Sequence, residues 1–79
     1  MLQTHTKVMT MIEVFKTDVK RTGQAKRMIQ LLLKQHPVCR INFDLEDCDK
    51  VLRVEGREFC AKHVIELLQM NGHHCEIML

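Results

Sequence analysis

Cys39-Arg40-Ile41-Asn42-Phe43-Asp44-Leu45-Glu46, in the middle of the chain, alternates apolar and polar residues without a break. A period of two sends successive side chains to opposite faces, so this segment reads as a strand with one face in a core and the other in water. Asp47-Cys48-Asp49-Lys50 supplies turn residues, and Val51 to Glu55 resumes the alternation through Leu52 and Val54, with Gly56 closing it. The two strands are expected to form a hairpin.

Working outward, each side of the hairpin carries a helical pattern. Upstream, Ala25, Met28, Ile29, Leu32 and Leu33 recur at the three-and-four spacing of one buried face, while Lys26, Arg27, Gln30 and Lys34 fall largely on the other. Thr22 is the expected N-cap, Lys34 and His36 suit the negative end of the helix dipole, and Pro37 stops the helix after about Gln35. Downstream, from Glu58 to Met70, Cys60 or Ala61, Val64, Leu67 and Leu68 repeat the helical period, and Asn71-Gly72 offers the C-terminal cap. Beyond the helices lie two more strands. Met11 to Val19 puts Ile12 and Val14 on one face and Phe15, Thr17 and Val19 on the other, with an irregularity between them. His73 to Leu79 puts Cys75, Ile77 and Leu79 on one face. The order is strand, helix, strand, strand, helix, strand. It specifies an α+β fold: a ferredoxin-like βαββαβ sandwich, a four-stranded antiparallel sheet with two helices on one face. Residues 1–9 read as a flexible lead-in and 10–79 as one domain.

The bulk properties agree. A chain of 79 residues has room for one domain, whose stability at ordinary values per residue is about 4 to 12 kcal/mol. Hydrophobic residues make up 46% and charged ones 28%, a globular balance, and the net charge of +2 is too small to argue for nucleic acid by itself. Met1 to Thr10 is polar and has no apolar core of a secretion signal, and no run approaches a membrane span. Cys39, Cys48, Cys60 and Cys75 sit within apolar patterns and are expected as reduced, core or half-buried thiols, which places the chain in the cytoplasm.

Four segments together resemble a heavy-metal-associated domain: Asp18-Val19-Lys20-Arg21-Thr22-Gly23-Gln24-Ala25, the helix ending near His36-Pro37-Val38, the strand Arg40 to Glu46, and the ending Met70 to Ile77. The resemblance spans Met11 to Leu79. It implies a Met-x-Cys-x-x-Cys motif at the first strand–helix junction, where two thiolates clasp a soft cation such as Cu(I). Matched onto this chain, Val19 takes the methionine position, Arg21 the first cysteine and Gln24 the second. A guanidinium repels a cation and an amide offers only a neutral oxygen, so the metal loop is degenerate and no metal is expected there.

The same junction suggests another chemistry. Lys16, Lys20, Arg21, Lys26 and Arg27 gather around a helix N-terminus, whose free N–H groups and dipole favour an anion, and Asp18 is the one acid from Lys16 to Lys34. From Asn42 to Glu58 the acids outnumber the bases, six to three. Lys20, Arg21, Thr22, Gly23, Gln24 and Arg27 are therefore the candidate contacts for a small anion or a protein partner, and the charge asymmetry also suits a homo-oligomer. The alternative is metal binding or transport through Cys60 and His63, one turn apart on the second helix, with His73, His74 and Cys75; alternation separates His74 from the other two. The plainer reading keeps Cys60 and Cys75 in the core. Nucleic-acid binding by stacking is not expected with no Trp, no Tyr and only Phe15, Phe43 and Phe59. Nor is catalysis: there is no serine, no paired-carboxylate cleft, and Cys60 with His63 has no third group to orient a base. The sequence thus describes a small non-enzymatic binding or interaction module without a cofactor.

Overall fold

The computed structural model describes residues 10–79, and the lead-in read at residues 1–9 lies outside them. The elements are β1 (Met11–Thr17), α1 (Thr22–Gln35), β2 (Arg40–Asp44), β3 (Val51–Gly56), α2 (Ala61–Met70) and β4 (Cys75–Ile77). The strands form one sheet in the order β2-β3-β1-β4, antiparallel at every pairing. This is the ferredoxin-like βαββαβ arrangement that the alternating patterns specify.

Register explains why those patterns matter. Phe43, Leu52, Phe15 and Ile77 lie abreast across the four strands, and Ile41 lies beside Val54. Ala25, Met28 and Leu32 from α1, and Val64 and Leu68 from α2, join this face in a single core. Phe15, Leu52, Val54, Val64 and Leu68 are fully buried, and each such side chain contributes about 1.5 to 3 kcal/mol of transfer free energy. The opposite face has no helix and carries Lys16, Arg40, Asn42, Asp44 and Arg53, all exposed.

The hairpin turn is docked as well as closed. Asp49 N–H donates to Asp47 Oδ1 (2.8 Å), Lys50 N–H donates to Asp47 O (2.9 Å), and Lys50 adopts a left-handed φ of 47°. The Thr17 hydroxyl donates to Lys50 O (2.6 Å) and accepts from Val19 N–H (3.2 Å). Thr17 is the buried polar residue of the core, and its two bonds fix how the chain leaves β1.

Several expectations are corrected. β1 pairs with β3 in unbroken register from Met11↔Gly56 to Lys16↔Val51, so it carries no irregularity. As read, Ile12 and Val14 share the face opposite Phe15 and Thr17; it is the uncovered one, with Ile12 51% exposed. The strand ends at Thr17, and Val19 reaches the core from the loop. α2 begins at Ala61, because Cys60 is still extended (φ −113°, ψ 120°). β4 is three residues long and buries only Cys75; Ile77 and Leu79 stay exposed at a sheet edge that has a neighbour on one side only. Gly56 is the last residue of β3 and does not lie outside it. A Cβ there would meet Cys39 Sγ at 2.5 Å, so glycine is what lets the start of β2 pack against the end of β3.

Candidate functional site

The β1–α1 junction is held from below and open above. Val19 is fully buried, while Lys20, Arg21, Thr22, Gly23, Gln24 and Arg27 are all exposed. Arg21 is the N-cap, extended at φ −108° and ψ 143°, and Ala25 N–H donates to its carbonyl (3.0 Å) to begin the helix. The expected cap, Thr22, is instead the first helical residue. The reason is Gln24, whose Oε1 accepts from Arg21 N–H (3.3 Å) and Lys20 N–H (3.4 Å) and so fixes the boundary one residue earlier.

The reciprocal half of that capping arrangement is missing. A guanidinium has donors and no acceptor, so it cannot take up the free N–H groups of the first turn, and no side-chain cap bond is made. No acidic residue stands in that turn. Asp18 is turned elsewhere: its Oδ1 accepts from His74 N–H (2.9 Å) and lies 3.4 Å from His73 Nδ1. The six candidate residues thus come together at one helix end, except that the Gln24 oxygen is already engaged. Helix-terminal donors and cationic side chains are left facing solvent.

The later candidates are not brought together. Cys60 and His63 are exposed at the start of α2, and His73 and Cys75 follow its end. Ten helical residues span about 15 Å, so Cys60 and His63 lie at one end of that helix and His73 and Cys75 beyond the other. Cys60 is not in the core as read, since the later helix start leaves it at the exposed N-cap. Cys75 is buried as read, and its thiol is pushed up to about 12 by burial and by the carboxylates of Asp18 and Glu76. Thiolate is the metal-binding form, which that environment disfavours. His74 lies on the other face, with Nε2 3.0 Å from Glu76 Oε2; this hydrogen bond, with the charge of His74 and of Lys16, holds the Glu76 carboxyl below its usual range.

The fourth thiol, Cys48, is in a place the reading passed over. Asp47, Cys48 and Asp49 bring three donor atoms within 4.8 Å of one another in the hairpin turn. Their spacing was visible as a D-C-D triplet, but Asp47 Oδ1 accepts from Asp49 N–H, and Lys16 Nζ lies 3.7 Å from Asp49 Oδ1. All four cysteines are free thiols, Cys39 and Cys75 buried and Cys48 and Cys60 exposed. Among the described residues no helix is long and apolar enough to cross a membrane. No family model matches the chain, and no curated protein or solved structure is significantly similar to it.

Proposed function

We propose that this chain is a small non-enzymatic binding module that takes an anionic group, inorganic phosphate being the simplest, at the start of α1. One observation carries the reading. The N-cap is an arginine that cannot accept a bond, flanked by exposed Lys20 and Arg27, with the nearest acid, Asp18, engaged by the His73-His74 segment. Unpaired N–H groups, the positive end of the helix dipole and exposed cations then point the same way. On this reading the scaffold resembles a heavy-metal-associated domain whose loop has exchanged a soft-cation clasp for a donor-only one, and the free thiols suit a reducing compartment such as the cytoplasm. Arg21, Thr22, Gly23 and Gln24 supply the contacts, and Lys20 and Arg27 supply the field.

The test is a titration of 15N-labelled protein with phosphate, followed by amide chemical shifts. The expected response is confined to Arg21 through Gln24 and weakens in Arg21→Ala. A silent junction, or an equal response in the variant, removes the proposal.

A further inference from the structure

The sheet has two edges, β2 and β4. An edge strand offers a row of unpaired N–H and C=O groups to any strand that matches it. The two edges differ in how they match themselves. β4 is three residues long, and antiparallel pairing with its own copy about the middle residue sets Glu76 against Glu76, a like-charge contact that opposes association.

β2 is built the other way. Its polar residues run Arg40, Asn42, Asp44, so a two-fold axis through Asn42 sets Arg40 of each copy opposite Asp44 of the other and Asn42 opposite itself. Both charge contacts are attractive. On the helix-bearing side the same axis sets Ile41 opposite Phe43 twice, and Phe43 is only half-buried in a single copy. Neither Arg40 nor Asp44 makes an ion pair among the described residues; Asp44 Oδ1 accepts from Glu46 N–H at 3.2 Å.

We propose that two copies of this chain pair edge to edge through β2, antiparallel about Asn42, joining two four-stranded sheets into one of eight strands. The pairing closes on itself. β2 against β4 of a next copy would instead repeat without end, and the Glu76 edge keeps the outer strands of the dimer from extending it. The interface rests on charge self-complementarity and a shared apolar row, independently of whatever the start of α1 binds.

Sedimentation velocity on the full chain over a wide concentration range tests this directly. A reversible dimer is expected, with the amides of residues 40–44 exchanging more slowly as concentration rises. Arg40→Asp sets two acids against two acids and should weaken the dimer about tenfold. Adding Asp44→Arg in the same chain restores opposite signs and should recover it, circular dichroism confirming that both variants fold. A monomer at all concentrations overturns the proposal. So does a dimer that ignores Arg40→Asp, a double variant that does not recover, or exchange in residues 40–44 independent of concentration.

Discussion

At the N-cap of a helix, the side chain decides whether the first-turn N–H groups have a partner. Arg21 leaves them without one, a choice that costs local stability and opens the site. Arg21→Asp reverses both effects at once, because an aspartate accepts from the first turn and complements the dipole. It should raise unfolding free energy by about 0.5 to 2 kcal/mol in urea titrations while abolishing the phosphate response. A variant that is no more stable would show that the first turn is satisfied by other means. The sequence held half of this arrangement. Gln24 three residues after Arg21 is the spacing of a capping pair, but Thr22 is the more familiar cap, and residue type alone put the boundary one position late.

Elements were legible wherever polarity alternated with a fixed period. α1 and β3 follow from their patterns almost residue for residue, because each has one face against the core and one against water; β2 follows over Arg40–Asp44, but the alternation that ran from Cys39 to Glu46 overshoots it, since the chain is already turning at Leu45. Cys60 was misplaced because apolar spacing states what a side chain tolerates, not where a helix begins, and the same spacing separated Ile12 and Val14 from Phe15 without saying which face the helices cover. Contacts between elements were the least legible, and Gly56 is the example. Nothing local demands glycine at that position; the Cys39 thiol, just before the neighbouring strand β2, does. Gly56→Ala should destabilise by about 1 to 3 kcal/mol through overpacking. Cys39→Ala removes the sulfur that the new methyl meets, so the double variant should be less destabilised than the sum of the single changes, a coupling that a thermodynamic cycle of urea midpoints measures. Strict additivity would refute the contact as the cause.

For the molecule as a whole, the buried thiols tie stability to pH on the alkaline side. In the folded chain Cys75 ionises only near pH 12, against an ordinary 9.0, and burial raises Cys39 in the same direction. The folded state therefore keeps protons that the unfolded state releases. Stability is fully present below about pH 9 and declines as pH rises toward 12, at up to about 1.4 kcal/mol per pH unit for each fully unbalanced thiol. Urea unfolding at pH 7, 9 and 10.5 should show the decline, and Cys75→Ala should make it shallower; an unchanged slope would mean that other groups set it. The last strand is the weak margin of this molecule. Three residue pairs and a bond from Met78 N–H to Val14 O (2.9 Å) join this end of the chain to β1, and Asp18 adds the bond to His74 N–H that fastens the strand at its start. Were that margin to fray, the seven-residue β1, which carries Phe15, would lose its guard and become the strand on which aggregates nucleate. The carboxylate of Asp18 is in that sense a safeguard of solubility, acting on how the molecule first comes apart.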